Sequence, residues 1–413
     1  MSVKPNNIQG ALKTTWGVFG KKKKYVVENF KQLPTLTEEE RRQKLVDKLK
    51  PWSADKTGHL DVGLATLAVT PEPTPVEVTI DPSSAVQYEN VVLSATTTGT
   101  SPTFIWTLTD FYDTSDSPIT SFTGQILTEG YFTSTGSSNV SVSVVCNEGS
   151  GSNSTFSVSE FSPNTISDMF AWIDFSDNST ISYRTGTNYI ESITDKTGNW
   201  TISQTTASYQ PLMLTGGSAD ATSLLQVAQF DGIDNYMISN QITPITTFTA
   251  HTSFTLGTNK VKAGATEESR RGCYWEIGRT ASFSFGDRRA LTHRPDLEQI
   301  MGIGYGFNQD SYTTYNTGFT NYPLTLVIRR DATTGGDQVI NDQPRTGFSA
   351  KNDPWYVRDF YISTQGNSGG NSTGHKLLGE YWESIHFSRD LDVNEEAQLD
   401  RYLQYKWFGS MTN

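Results

Sequence analysis

Short runs in which apolar and polar residues alternate dominate the sequence from Val76 onward. They include "VEVTI", "TFIWTL" and "NVSVSVVCN", and stretches rich in Ser, Thr, Asn and Gly separate them. Alternation with a period of two places successive side chains on opposite faces of a strand, and turn residues at this spacing are typical of antiparallel sandwiches. Charged residues make up only 18% of the chain and aromatic residues 12%, which agrees with this class. We therefore predict a mainly β chain in which helix is scarce.

The length of 413 residues favours two or three structural units. "TPEPTPVEV" has alternating prolines, which favour an extended spacer. We predict an anchoring arm with a short helix at 1–70, a Pro-rich linker at 71–75, a β-sandwich at 76–162 and a second β-sandwich at 165–413.

The charge of the chain is unevenly distributed. Residues 1–60 contain 13 Lys and Arg against 6 Asp and Glu, whereas the remainder contains 19 against 38. A basic arm joined to an acidic body indicates that the arm meets an acidic partner, while the body repels nucleic acid. We therefore predict no nucleic-acid partner.

Aromatic residues flank the four consecutive lysines of the arm, and "TEEERRQKL" opens with Thr37 and Glu40 at the spacing of a helix capping box. Pure solvation does not require these aromatic residues, so we predict docking on a partner surface; a partly disordered, solvated arm is the alternative. The predicted anchoring residues are Trp16, Phe19, Lys21, Lys22, Lys23, Lys24, Arg41 and Arg42.

No Sec-type export signal and no run of about 18 apolar residues is found in the sequence, so we predict neither Sec export nor a membrane span. The only two cysteines, Cys146 and Cys273, are predicted in different domains. A structural disulfide framework is therefore not expected.

The first sandwich carries Trp106 in its third predicted strand and Cys146 in its penultimate one. This pattern resembles immunoglobulin-like or PKD-like modules, whose core Trp lies on the third strand. The second strand has Leu93 and Ala95 and no cysteine, so the resemblance does not extend to a cross-sheet disulfide.

Several landmarks follow in a fixed order: "FAWIDFSDNSTI", "ITDKTGNW", "YQPLML", "QFDGIDNYM", "LTLVIRRD" and "LDVNEEAQLDRYLQYKWFG". That order resembles concanavalin A-like, laminin-G-type domains, which are found on bacterial surface proteins and phage particles. The resemblance implies a jelly-roll sandwich. In the last segment Leu399, Tyr402, Leu403 and Trp407 recur at helical spacing, which predicts a short C-terminal helix.

"QFDGIDNYM" contains the candidates for a metal or ligand site, Asp231, Asp234 and Asn235. Strand-like runs flank the segment, so Asp231 and Gly232 fit a turn between two strands. Calcium needs about six to eight oxygen ligands, more than these side chains supply. We predict a structural turn and no cofactor, with Ca²⁺ binding as the alternative.

A glycoside hydrolase is the sharpest enzymatic alternative, because some enzymes on the same sandwich use two carboxylates on one face of a strand. The nearest pairs are Asp296 with Glu298, and Glu380 with Glu383. The second pair has the wrong spacing for one face of a regular strand. The five histidines are scattered and offer no zinc ligand set. We therefore predict that the chain is not an enzyme.

The segment "YGFNQDSYTTYNTGFTNY" is rich in tyrosine, whose ring offers an apolar face with a polar rim. Sugars and protein partners both bind such rings, although core packing is an equally good interpretation for half of them. The predicted glycan- or partner-binding residues are Tyr305, Tyr312, Tyr315 and Tyr322.

The charge split and the order of modules resemble those of a phage virion protein. The resemblance implies a capsid decoration protein or head fibre on the outer surface of the particle, synthesised in the host cytoplasm. Its expected partners are the major capsid protein or other virion proteins and a host-surface glycan, and a homo-oligomer is expected. A tail fibre or baseplate adhesin is the alternative.

Overall fold

The computed structural model describes residues 76–137, 139–215, 224–239, 250–260, 272–278, 288–294, 299–304, 311–314, 325–332, 335–340, 346–348, 359–364 and 375–409, together with Gln43. By its internal contacts the chain divides into Met1–Thr74 and Pro75–Asn413. All described residues except Gln43 belong to the second unit. The predicted anchoring residues, from Trp16 to Arg42, and the predicted linker lie outside the described residues.

The first β module, residues 76–160, consists of short strands. They are β1 (Val78–Asp81), β2 (Ser84–Val86), β3 (Ser94–Thr97), β4 (Thr103–Leu108), β5 (Phe111–Asp113), β6 (Ser121–Thr123), β7 (Gly130–Phe132), β8 (Val140–Cys146), β9 (Gly149–Asn153) and β10 (Ser157–Ser159). The largest sheet has the order β6-β4-β8-β9, and β1 pairs with β3, β2 with β10 and β5 with β7.

Alternation along β4 and β8 gives this module its core. In β4 the residues Phe104, Trp106 and Leu108 are buried, and the residues between them are exposed. Trp106 is fully buried and donates its indole N–H to the carbonyl oxygen of Gly124 at 2.8 Å. Trp106 therefore occupies the core position that was expected for it.

The second β module, residues 163–409, contains the longer strands. They are β11 (Met169–Asp174), β12 (Ile181–Tyr183), β13 (Ile190–Thr194), β14 (Thr201–Ser203), β15 (Leu212–Leu214), β16 (Val227–Asp231), β17 (Met237–Ser239), β18 (His251–Asn259), β19 (Gly272–Gly278), β20 (Arg288–Arg294), β21 (Gln299–Gly304), β22 (Ser311–Thr314), β23 (Thr325–Ala332), β24 (Gly335–Ile340), β25 (Thr346–Phe348), β26 (Asp359–Ile362) and β27 (Leu378–Phe387). Short 3₁₀ turns span Pro163–Thr165, Asn178–Thr180 and Ala207–Tyr209.

Within the described residues these strands form two sheets. Sheet I has the order β15-β16-β27-β18-β23-β24-β25, with β11 also paired to β27, and sheet II has the order β12-β13-β14-β17-β26-β19-β20-β21-β22. A core of buried apolar residues contains members of both sheets, such as Phe230 and Tyr381 from sheet I and Trp275 and Phe360 from sheet II. The indole N–H of Trp275 bonds the Thr255 hydroxyl of sheet I at 2.8 Å, so the inner faces of the two sheets meet directly.

The helix α1 (Val393–Phe408) covers the other face of sheet I. It begins at a capping box, in which Asp392 accepts from the backbone N–H groups of Asn394 and Glu395 and Glu395 accepts from that of Asp392. It ends at Gly409, which has a left-handed φ of 73°. Leu399, Leu403 and Trp407 are buried, and this confirms the face predicted from their spacing.

The same helix contacts the first β module. One buried cluster joins Tyr88 and Phe161 to residues of α1 and of sheet I. Tyr88 stacks on Tyr405 with ring centroids 5.7 Å apart, and Arg401 donates to the carbonyl oxygen of Tyr88 at 3.0 Å. The two modules therefore share part of their core through α1.

The prediction of a mainly β chain with a short C-terminal helix is confirmed. Cys146 ends β8 in the first module and Cys273 lies in β19 of the second, and no disulfide joins them. None of the helices in the described part of the chain is long and apolar enough to cross a bilayer.

Candidate functional site

The outer face of sheet II carries a row of residues that face one another across successive strands. The inner face is fixed by buried apolar residues such as Ile202, Met237, Trp275 and Phe360, so their neighbours in sequence point outward. The pairing register aligns Ser182, Ser192, Ser203, Ile238, Tyr361, Glu276 and Ala290. We call these seven residues the cross-strand row.

The cross-strand row becomes more deeply buried toward the middle of the sheet. Ser182 is exposed, and Ser192, Ser203 and Ile238 are half-buried. Tyr361 is only 4% exposed and Glu276 only 2%. Three serine hydroxyls therefore lie toward the edge of the sheet, and Ile238 separates them from a buried tyrosine directly opposite a buried carboxylate.

One of the predicted binding tyrosines, Tyr312, lies in the same sheet. It belongs to β22, where its backbone faces Met301, and Met301 faces Thr292, two residues from Ala290 of the cross-strand row. Tyr305, Tyr315 and Tyr322 lie outside the described residues, so their role stays a prediction. The cross-strand row itself was not predicted, since its members come from seven strands that are separated in sequence.

The segment that follows β16 is a self-contained turn. The Oδ1 atom of Asp231 accepts from the backbone N–H groups of Ile233, Asp234 and Asn235 at 2.9–3.1 Å. The Asn235 side chain accepts from the Asp231 backbone and donates to the carbonyl oxygen of Gln210. Gly232 has a φ of 73°, which glycine adopts without strain. This is the structural turn predicted from "FDGIDN".

The pKa values in this turn reflect the same contacts. Burial pushes the pKa of Asp231 upward, but the three backbone N–H groups and Asp234 outweigh it, so the pKa is lowered. Within the part of the chain that the structure describes, no three His, Cys, Asp or Glu side chains are grouped as a metal site.

The interpretation that Glu380 and Glu383 have the wrong spacing for one face is wrong, because a bulge interrupts β27. Leu256 faces Glu383 and the next residue, Gly257, faces Tyr381, so Trp382 is the extra residue. Trp382 and Glu383 therefore both point toward α1. The indole N–H of Trp382 bonds Glu380 on that face at 3.0 Å.

Although they share a face, the two glutamates are not open to a substrate. Glu380 is 4% exposed and Glu383 is fully buried. Glu383 accepts the indole N–H of Trp172 on Oε1 at 2.7 Å and that of Trp407 on Oε2 at 2.8 Å. This pair therefore lacks the access that two catalytic carboxylates require. Asp296 and Glu298 lie outside the described residues.

Glu383 belongs to a buried ionic network between β11, β27 and α1. The ammonium group of Lys406 lies 2.7 Å from Oε2 of Glu383 and 2.8 Å from Oδ2 of Asp174. Asp174 faces Glu383 in the strand register. A second lysine, Lys196, lies 3.4 Å from Asp174, 3.0 Å from Asp177 and over the ring of Trp172.

Burial and the nearby positive charges have opposite effects on the pKa values of the carboxyl groups in this ionic network. Burial raises the pKa of Glu383, and the charge of Asp174 adds to that rise against the opposing effect of Lys406. For Asp174 burial is again the largest influence, but Lys406, Ser176 and Lys196 together lower its pKa. The Ser179 side chain, followed by Lys196, lowers the pKa of Asp177 to about 2. The two lysines therefore stabilise the carboxylates whose charge the interior disfavours.

No family model and no curated protein matches the sequence. Among solved structures, the chain is similar to Trypanosoma rangeli sialidase in complex with sialic acid, with 11% identity and a TM-score of 0.36 over 58% of this chain and 33% of that one. It is similar to the CBM40 domain of Ruminococcus gnavus IT-sialidase bound to α2,3-sialyllactose, with 9% identity and a TM-score of 0.29 over 38% of this chain and 93% of that one.

The binding domain of botulinum neurotoxin serotype G gives 9% identity and a TM-score of 0.33, over 53% of this chain and 51% of that one. The chain thus spans about a third of the length of the sialidase that it matches. At such low scores and identities these likenesses establish neither a family nor a function.

Proposed function

We propose that the chain is a non-enzymatic recognition protein that binds a glycan on the outer face of sheet II. The observation that carries the proposal is the edge of the cross-strand row, where the exposed Ser182 faces the half-buried Ser192, and Ser192 faces the half-buried Ser203. Hydroxyl groups on an accessible face hydrogen-bond the hydroxyl groups of a sugar.

The scaffold supports binding more than catalysis. The described glutamate pair on one face, Glu380 and Glu383, is buried, and indole or ammonium groups occupy its oxygens. The two modules share a core through α1, so the face of sheet II is held in a fixed orientation to the first module. Such rigidity suits a protein that presents a binding face at a distance from its attachment point.

We further propose that this recognition face is displayed on the outer surface of a phage particle, as a capsid decoration protein or head fibre. The basic residues 1–70 would attach it to virion proteins, and the charge split between arm and body supports this part of the proposal. Deletion of residues 1–70 should then abolish incorporation into particles. Undiminished incorporation would contradict the anchoring role, and location of the protein on the tail would favour the adhesin alternative.

Glycan binding is tested on an array with the full chain and two conservative variants, Ser182→Ala and Ser192→Ala. Each should reduce binding of the retained glycan by about fivefold, because each removes one hydroxyl hydrogen bond worth about 1 kcal/mol. The matched control is Ser157→Ala, which removes the hydroxyl of an exposed serine of the first module. Release of sugars from the array, or equal losses in the control, would contradict the proposal.

A further inference from the structure

Lys406, Asp174 and Glu383 form a three-residue cluster whose geometry is that of an amine held between two carboxyl groups. The Nζ atom of Lys406 lies 2.8 Å from Oδ2 of Asp174 and 2.7 Å from Oε2 of Glu383. Asp174 and Glu383 are directly opposite each other on β11 and β27. The side chain of Asp174 is 3% exposed and that of Glu383 is not exposed, while that of Lys406 is 17% exposed.

The surroundings of the cluster are largely aromatic. Trp172 and Trp407 donate to Glu383, and the Tyr402 hydroxyl lies 3.5 Å from its Oε1 atom. The Nζ atom of Lys406 is also within 5.6 Å of the Tyr402 ring centroid. Such a site excludes most water, which would otherwise favour the free amine and acid over a condensed product.

We infer that this cluster forms an intramolecular isopeptide bond between the Lys406 side chain and the Asp174 side chain, with Glu383 as the proton carrier. The product is an amide that joins α1 to β11. The inference is independent of the ligand proposed for sheet II.

The step balances without any co-reactant. Glu383 takes a proton from the Lys406 ammonium group across the 2.7 Å contact, and the neutral amine attacks Cγ of Asp174. The first proton passes from Glu383 to Oδ2, and Glu383 then takes a second proton from the attacking nitrogen. Glu383 delivers this second proton to Oδ2 as the Cγ–Oδ2 bond breaks, so Oδ2 leaves as water. An ammonium and a carboxylate thus become an amide plus water, and Glu383 ends as the carboxylate with which it began.

Asp174 is assigned as the acyl partner because of the groups on its two oxygens. Its Oδ1 atom accepts from the backbone N–H of Ser176 at 3.0 Å and from the Ser176 hydroxyl at 2.6 Å. Two donors on one oxygen stabilise the negative charge that develops there when the amine adds. The other oxygen, Oδ2, lies 2.8 Å from the Nζ atom of Lys406, so the attacking amine and the departing oxygen are on the same side of the carboxyl group.

Burial disfavours the charged forms of all three residues, and it is the largest influence on the pKa of each. The attraction between the charges outweighs burial for Lys406, whose pKa is raised, and for Asp174, whose pKa is lowered, whereas the pKa of Glu383 is raised. Glu383 is therefore the member of the cluster that most readily accepts a proton. Transfer of a proton from Lys406 to Glu383 therefore removes two buried charges at once.

The test is the intact mass of the purified full chain, measured under denaturing conditions. We expect a mass lower than that of the sequence by one water molecule, and a branched tryptic peptide that joins Lys406 to Asp174. A mass equal to that of the sequence, in protein that has folded, would overturn the inference. A branch from Lys406 to Glu383 would overturn the assignment of Asp174.

Substitutions of Lys406, Asp174 and Glu383 test the role of each residue in forming the bond. Lys406→Arg keeps the positive charge but cannot form the amide, so it should have its full sequence mass. Asp174→Asn should lose ammonia in place of water, and its bridged form must have the same mass as the bridged wild type. Glu383→Gln should leave the chain unbridged or slow bridging at least tenfold.

Lys196→Arg is the matched control, because Lys196 contacts the same oxygen of Asp174 at the longer distance of 3.4 Å. It should remain bridged, and loss of the bridge in this variant would contradict the assignment of Lys406 as the nucleophile. The wild-type mass decides the question even if a variant fails to fold.

Discussion

The guanidinium carbon of Arg401 lies 3.9 Å from the centre of the Tyr131 ring. Arg401 belongs to α1 of the second β module, and Tyr131 belongs to β7 of the first. Arg401 also donates to the carbonyl oxygen of Tyr88 at 3.0 Å and to the Asn90 side chain at 2.7 Å. A single buried side chain therefore joins the two modules by a ring contact and two hydrogen bonds.

Arg401→Ala should weaken the junction between the modules. The lost ring contact and hydrogen bonds correspond to about 2–3 kcal/mol. Calorimetry should show one thermal transition for the wild type and two separated transitions for the variant. Arg184→Ala is the control, since Arg184 lies over the ring of Tyr189 within the second module alone. A single unshifted transition in Arg401→Ala would contradict the role given to this residue.

Acid should destabilise the second module through His386. Burial lowers the pKa of His386 to about 3, whereas an unfolded histidine titrates near pH 6.5. Between these values the unfolded state binds the extra proton, so stability falls as the pH falls from about 6.5 to about 3, by about 1.4 kcal/mol per pH unit.

Urea unfolding at several pH values measures this slope. His386→Gln will be less stable at neutral pH, because it disturbs the packing against Trp275 and Phe360. Its stability should nevertheless depend less on pH than that of the wild type between pH 6.5 and 4. Equal slopes for the two proteins would rule out His386 as the titrating group.

Removal of an indole hydrogen-bond donor should lower the free energy of unfolding more where the acceptor is a carboxylate than where it is a neutral carbonyl group. Trp172→Phe leaves Glu383 with one fewer hydrogen bond at a fully buried position, and we expect a loss of about 1.5–3 kcal/mol. Trp106→Phe removes a bond to the neutral Gly124 carbonyl, and about 0.5–1.5 kcal/mol is expected. Denaturant unfolding of the two variants compares the two losses, and the reverse order would contradict the greater strength assigned to the bond between Trp172 and Glu383.

Asp231→Ala should destabilise the turn after β16 irrespective of calcium. The substitution leaves three backbone N–H groups without their acceptor, a change comparable to the loss of a helix cap at about 1–2 kcal/mol. The melting temperature of the wild type should be the same in excess Ca²⁺ and in chelator. A rise with Ca²⁺ that Asp231→Ala abolishes would instead establish a metal site in this turn.

The features that depend on local periodicity could be predicted from the sequence. The alternation in "TFIWTL" predicted the buried position of Trp106, and the helical spacing of Leu399, Leu403 and Trp407 predicted the buried face of α1. The Asp-Gly pair predicted the turn at Asp231. These are interactions between residues that are close in the chain, and the residue types themselves encode them.

The features that depend on distant pairing could not be predicted. A sequence pattern assigns alternate residues of a strand to opposite faces. The bulge at Trp382 breaks this alternation in β27, because Trp382 and Glu383 point to the same face. The ionic network joins Asp174 to residues more than 200 positions away. The sequence does contain one indication of this network. Lys406 follows Tyr402 by four residues, which places its charge on the apolar face of α1, and a buried charge requires a partner of opposite charge.

The position of α1 also imposes an order of events on synthesis. Trp382, Phe254 and Tyr88 all lie in the cluster that α1 completes, and they precede it in the chain. While the ribosome is still translating residues 393–408, the emerging polypeptide must carry these aromatic and aliphatic side chains uncovered. Nascent chains are therefore open to aggregation through this cluster until α1 has left the ribosome and folded onto sheet I.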